Sequence, residues 1–321
     1  MRVAFIHPAE PGIDGYTARM MAALAAEGVT VSAHAATSDE LIASLDRPPA
    51  DAALVIDDRL LPAPGALHGC ADAIVARRGT ALVHHRPTPE PDPAQAAWPA
   101  LLPRLARVIT TSDAMAAHLA GACGVDPARI AVVAAGAAPA ARQPARAGGT
   151  CEILSVGPPM SGQGHDRLIE ALARLFDLDW RLTIAGTPRD AALANAAASL
   201  GVARRVVFAG EVGGAALEAL WQAADIFALA SPFDADGVDV AAAMRRGLPV
   251  GVMAGGAATA LVTPAAGVVC DAGDVVTFSK ALRRVIFDTA LRAAMAEAAW
   301  QIGQNLPGWD TQARAFAAAL G

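Results

Sequence analysis

Residues 231–250 read SPFDADGVDVAAAMRRGLPV, directly after the apolar run DIFALA at 225–230. DIFALA has the length and composition of a buried strand. The acidic turn that follows closes on Gly237, a helical pattern runs from Val238 to the stop at Gly247, and Pro249 begins the next strand. A strand, a glycine at a helix mouth and a helix whose first N–H groups lack partners within the helix make an anion site.

The same unit recurs on both sides of this stretch. In the N-terminal half, strands are predicted over 3–7, 29–34, 52–56, 81–85, 108–112 and 130–133. Helices are predicted between them over 16–27, 39–45, 66–78, 94–105 and 113–123. Residues 134–150 dissolve into Ala, Pro, Gln, Arg and Gly, a linker composition. The alternation then restarts, with strands over 153–156, 181–185, 206–209, 226–230, 250–252 and 268–270. Its helices are predicted over 166–176, 190–200, 214–223, 238–246, 275–287 and 290–302, with a last amphipathic segment over 310–320. Alternating strands and helices call for parallel sheets covered on both faces. The expected fold class is α/β: two doubly wound Rossmann-like domains facing a central cleft. The expected boundaries are 1–145, 146–305, and a terminal helix over 306–321 that packs back on the first domain.

Composition narrows the function. At 321 residues the chain suits two domains of about 150 residues. The net charge of −6, shared by both halves, argues against a basic nucleic-acid-binding body. The four cysteines are far apart, with no Cys-x-x-Cys or Cys/His spacing, so reduced thiols and no metal are expected. Residues 1–7 lead straight into a strand with no signal peptide, and no apolar run approaches membrane-spanning length, so the expected location is cytoplasmic. No basic amphipathic helix supports a peripheral membrane contact.

After the first strand of the second half comes VGPPMSGQGHDRLIEAL, 156–172. Gly157 and Gly162 have P-loop spacing, but Gln163 stands where the lysine belongs and Gly164 where the Ser/Thr belongs. Triphosphate and metal would go unmet, and a tight strand-to-helix turn explains the glycines equally well. The chain also lacks a Gly-x-Gly-x-x-Gly dinucleotide loop. At 81–87, ALVHHRP ends a strand with His84 and His85, and alternation sends one inward and one outward. Asp57 and Asp58 end another strand, where a solvated turn is expected rather than a metal pair.

The second half resembles the nucleotide-binding domain of retaining glycosyltransferases with the GT-B fold, of the family-4 type. The matching segments are 156–172, WRLTIAGT at 180–187, RVVFAGEV at 205–212, LWQAADIFALASPF at 220–233, AAAMRRGLPV at 241–250 and GVVCDAGDVVTFSKALRRVI at 267–286. The first half is similar more weakly, through PGIDGYTARMMAALAAEGVTV at 11–31 and the segment 106–136. The resemblance implies transfer of a sugar from a nucleoside diphosphate sugar to an unknown acceptor with retention of configuration. That donor is a substrate, and no cofactor or metal is implied.

It also implies roles residue by residue. Of the family's two glutamates, the first falls on Asp234, near the transferred sugar, and the second on Ala242, which cannot bind a ribose. The Arg and Lys that neutralise the diphosphate fall on Pro158 and Gln163, so both charges are missing. Donor binding is left to Gly12, Gly157, Gln163 and the helix mouth at Gly237, Val238 and Asp239, though the Asp239 charge opposes a diphosphate. A histidine near the sugar is implied, and His85 is chosen for it. Arg86, Arg189, Arg245 and Arg246 are the candidate replacement cations; the last two, near a helix C-terminus, suit its dipole better. The alternative is a non-catalytic binding or assembly module of the same fold that has lost its diphosphate-binding side chains.

Overall fold

The computed structural model describes residues 1–8, 15–37, 39–60, 67–85, 98–144, 148–157, 164–186, 190–253 and 255–321, with the side chains of 67–70 left aside. Gly12, Arg86, Pro158, Gln163 and Arg189 lie outside the described residues. The chain divides into two compact units, one of residues 1–136 with 307–321 and one of residues 137–306.

In the first unit the strands are β1 (Arg2–Pro8), β2 (Thr30–Ala36), β3 (Ala53–Asp57), β4 (Thr80–Val83), β5 (Arg107–Thr110) and β6 (Ile130–Val132). They form a parallel sheet in the order β2-β1-β3-β4-β5-β6. The order reverses between β1 and β3, and ligands of such sheets bind outside the carboxyl ends of the strands at that point. Val3, Phe5, Val55, Leu82 and Ile109 share one core with Tyr16, Met20 and Leu24 of the Tyr16–Ala26 helix. The terminal Trp309–Leu320 helix completes that core: Phe316 stacks on Phe5 at 5.8 Å between ring centroids.

The second unit contains β7 (Cys151–Val156), β8 (Trp180–Ala185), β9 (Val206–Gly210), β10 (Ile226–Leu229), β11 (Phe233–Asp234), β12 (Val250–Met253), β13 (Gly255–Gly256) and β14 (Gly267–Cys270). Six of them form a parallel sheet in the order β14-β12-β10-β7-β8-β9, which reverses between β7 and β10. Its central strands β10 and β12 are buried on both faces. Ile226 and Ala228 enter one core and Phe227 and Leu229 the other, the two-residue period of a strand sorting side chains between layers.

Two expectations are corrected. Of the helix predicted over 94–105, residues 94–97 lie outside the described residues; the rest is one turn, Trp98–Leu101, followed by a 3₁₀ turn at Leu102–Arg104, where Pro103 cannot donate a helical hydrogen bond. The strand predicted to carry the two histidines ends at Val83. The alternation argument for His84 and His85 therefore does not apply, because both lie on the loop beyond it. No described helix is long and apolar enough to cross a membrane.

Candidate functional site

Each sheet gathers polar groups beside its reversal point. In the second unit these follow β7 and β10. The chain leaves β10, and Phe233–Asp234 pairs in parallel with Gly255–Gly256. Gly256 has φ +88°, and a Cβ there would stand 2.0 Å from the Asp234 carbonyl oxygen, so the pairing depends on glycine. Asp234 is thereby held against the N-terminus of the Val238–Arg245 helix, whose N-cap is Gly237. The buried residues Val240, Ala241, Ala243 and Met244 anchor that helix to the sheet.

The helix mouth is occupied by the chain's own carboxylates. Gly237 N–H donates to Asp234 Oδ1 at 2.6 Å and Val238 N–H to Asp236 Oδ1 at 3.1 Å. Burial, with the nearby charges of Asp236 and Asp239, raises the Asp234 carboxyl well above the usual range, against the opposing pull of the Gly237 and Ala258 N–H groups. A diphosphate at this mouth would have to displace two hydrogen bonds and meet three acidic side chains. The two arginines of this helix are committed elsewhere. Arg246 pairs with Glu218, donates to the Ala242 carbonyl at 2.9 Å and lies over Trp221; Arg245 donates to the carbonyls of Gln304 and Leu306. Position 242 offers only a methyl group.

Gly157 directly follows β7, and Gly164 opens the His165–Ala173 helix. A Cβ on Gly164 would fall 1.9 Å from the Ala230 carbonyl oxygen, so the first turn of this helix lies directly on the end of β10. His165 is buried, with Nδ1 3.4 Å from Ser155 Oγ and Nε2 without a partner among the described residues. Burial lowers its pKa, against the hydrogen bond with the Gly157 backbone. It therefore does not replace the missing lysine as a fixed cation.

In the first unit, adjacent strands β3 and β4 end side by side, Asp57 in register with Leu82. Asp57 and Asp58 are 2% and 3% exposed, which corrects the expected solvated turn. His84 Nε2 lies 3.1 Å from Asp57 Oδ2 and 3.1 Å from Thr17 Oγ1. Arg59 donates through Nε to Asp57 Oδ1 at 3.0 Å and through a terminal nitrogen to Oδ2 at 3.2 Å. Burial alone would raise the Asp57 carboxyl, but the bonds and charges of His84 and Arg59 outweigh it and hold it well below the usual range. Beside this group, His85 Nδ1 meets Asp58 Oδ1 at 2.7 Å and His85 N–H donates to Asp58 Oδ2 at 3.2 Å.

The ligand atoms of Asp57, Asp58, His84 and His85 lie within 4.8 Å of one another. Their detailed spacing is that of hydrogen-bonded pairs. Two ligands of a tetrahedral ion with bonds of about 2.1 Å stand about 3.4 Å apart. His85 and Asp58 are closer than that, and Arg59 already engages both oxygens of Asp57.

The structure thus places Asp234, Gly237, Val238, Asp239 and Gly157 beside the reversal point of the second sheet, and His85 at the strand ends of the first. Sequence reading did not find the Asp58–His85 and Asp57–His84–Thr17 groupings. Their signal was two acids and two histidines at the ends of consecutive strands.

A family model described as Glycosyl transferases group 1 matches residues 140–301. A D-inositol 3-phosphate glycosyltransferase of Salinispora arenicola is 33% identical over 171 residues, covering 49% of this chain and 38% of that protein. Its counterpart in Corynebacterium diphtheriae is 30% identical over 160 residues, covering 47% and 38%. The matches span well under half the length of these curated relatives. Among solved structures, sucrose-phosphate synthase from Thermosynechococcus elongatus superposes with a TM-score of 0.80 at 17% identity, over 99% of this chain and 97% of that one. Anabaena HepE in complex with UDP-glucose gives 0.78 at 18% identity, over 100% and 99%. At such identities these two carry the fold alone.

Proposed function

Since the chain belongs to the group 1 glycosyl transferases, we propose that it moves a glycosyl group from a nucleoside diphosphate sugar to an acceptor hydroxyl with retention at the anomeric carbon. The acceptor oxygen replaces the diphosphate oxygen on that carbon, and the diphosphate leaves with the bonding electrons and the acceptor's proton. The observation that carries the reading is Asp234, a carboxyl group fixed at the mouth of the Val238–Arg245 helix in the segment the family model matches. There it holds hydroxyls of the transferred sugar, while the helix mouth at Gly237, Val238 and Asp239 receives the diphosphate once it displaces Asp234 and Asp236 from the Gly237 and Val238 N–H groups. Gly157 gives the donor close backbone approach after β7, and Gln163 offers a neutral hydrogen-bonding group in place of lysine. Gly12 has the corresponding backbone role after β1, and His85 approaches a sugar hydroxyl. The Anabaena relative captured with UDP-glucose supports a uridine donor.

The second reading, a binding module without transfer activity, is favoured by a specific observation: Asp234 and Asp236 already take the N–H groups that the diphosphate needs. Loss of two donor cations removes about 1.5–3 kcal/mol of binding for each charge-assisted bond. Calorimetry with UDP, GDP and ADP, followed by assays of sugar release from the matching donors, separates the readings. Binding and turnover that Asp234→Ala abolishes establish the transferase. Binding that appears only in Pro158→Arg/Gln163→Lys/Ala242→Glu establishes the module.

A further inference from the structure

We propose that Asp58 is a positioning residue for His85: it holds the imidazole in the Nδ1–H tautomer, so that Nε2 is a hydrogen-bond acceptor for a hydroxyl of the sugar substrate. The choice of ligand rests on the transferase reading above; the positioning rests on geometry. The Asp58 side chain is 2% exposed and both its hydrogen bonds go to one residue, Oδ2 to the backbone N–H of His85 and Oδ1 to its ring, while His84 Nε2 stands farther off, 4.0 Å from Oδ1. One carboxylate therefore sets both where the His85 backbone sits and how its ring is turned.

A carboxylate only accepts hydrogen bonds, so the proton in the 2.7 Å contact belongs to Nδ1. The neutral ring then carries its lone pair on Nε2, across from Asp58. The His85 side chain is 33% exposed, and among the described residues no hydrogen bond is made to Nε2. The neighbouring ring of His84, with centroids 4.1 Å apart, is itself fixed by Asp57 and Thr17, so His85 is backed by an immobile surface. Both carboxylates stand where β3 ends, next to the reversal point of the first sheet.

The isosteric variant Asp58→Asn discriminates. Its single oxygen can serve only one of the two His85 donors, while its NH₂ must face the other position. The ring then avoids a donor–donor clash by moving its proton to Nε2. In the full chain labelled with ¹⁵N-histidine, long-range ¹H–¹⁵N spectra assigned through His85→Gln are expected to show His85 protonated on Nδ1, and on Nε2 in Asp58→Asn. Titration with UDP-glucose should shift the His85 Nε2 resonance, whereas UDP should not. Asp58→Asn should lower kcat/KM for UDP-glucose by about 10–100-fold, the scale seen when the partner that orients a metal-binding histidine is lost. UDP affinity should stay unchanged, and the variant should add no further loss in a His85→Ala background.

An Nε2–H tautomer in the natural chain, an unchanged tautomer in Asp58→Asn, or an undiminished loss in the His85→Ala background would overturn the proposal. So would UDP-glucose binding that leaves His85 Nε2 unmoved. If neither UDP nor UDP-glucose binds while His85 remains Nδ1-protonated, the nucleotide-sugar reading fails and the positioning by Asp58 stands.

Discussion

Two aspartates in this chain shift in opposite directions, because one has partners that donate and the other is buried beside neighbours that repel. Asp57 is buried against Arg59, His84 and Thr17, and its pKa is depressed. A depressed folded pKa contributes stability above the unfolded value of about 3.9, and that stability is lost as pH falls from there towards the folded value. Asp57→Asn should therefore destabilise the protein by about 1–3 kcal/mol at neutral pH, with the gap to the natural chain closing below about pH 4. Asp234 is raised by burial and by Asp236 and Asp239. Folding favours its protonated form, so stability is lost as pH rises from the unfolded value through the raised one. Asp234→Asn should gain on the natural chain as pH increases, and urea titrations of both variants across pH check the two signs. Asp234 was legible in the sequence through its spacing from Gly247 and Pro249. The environment that sets its protonation was not, because it is assembled from the Ala258 N–H and two acids folded back on the helix mouth.

At the scale of elements, periodicity carried most of the reading. The helices at Asp113–Cys123, Gly214–Ala223 and Val275–Phe287 have their predicted limits. Ser112 and Asp274 cap two of them, each accepting an N–H from the residue three positions on. The two-residue ladder between Phe233–Asp234 and Gly255–Gly256 was not legible, since two residues hold no period. That ladder places Asp234, and it tolerates no side chain at position 256. Gly256→Ala should destabilise the protein by about 2 kcal/mol or more, through a left-handed backbone and a steric clash. If the transferase reading holds, it should also abolish donor binding without altering any group in contact with the phosphates. Denaturant unfolding and UDP calorimetry on one preparation measure both effects.

At the scale of the whole molecule, the chain carries separate hydrophobic cores in its two units, and the last helix belongs to the first of them. Phe316→Ala empties a site between Phe5 and that helix and should cost about 3–5 kcal/mol. Differential scanning calorimetry is expected to show two resolved transitions in the variant, only the lower one displaced, as for units that do not unfold as one. The sequence by itself determined the kind and order of the elements, because strand and helix periods and turn residues act over a few neighbouring positions, and its matching segments carried the resemblance to the family. Tertiary structure alone decided which acid meets which histidine and which carboxylates fill the helix mouth. Asp58 and His85 are 27 residues apart, joined only because β3 and β4 are neighbours in the sheet. Strand order sets such pairings, and no local pattern along the chain records it.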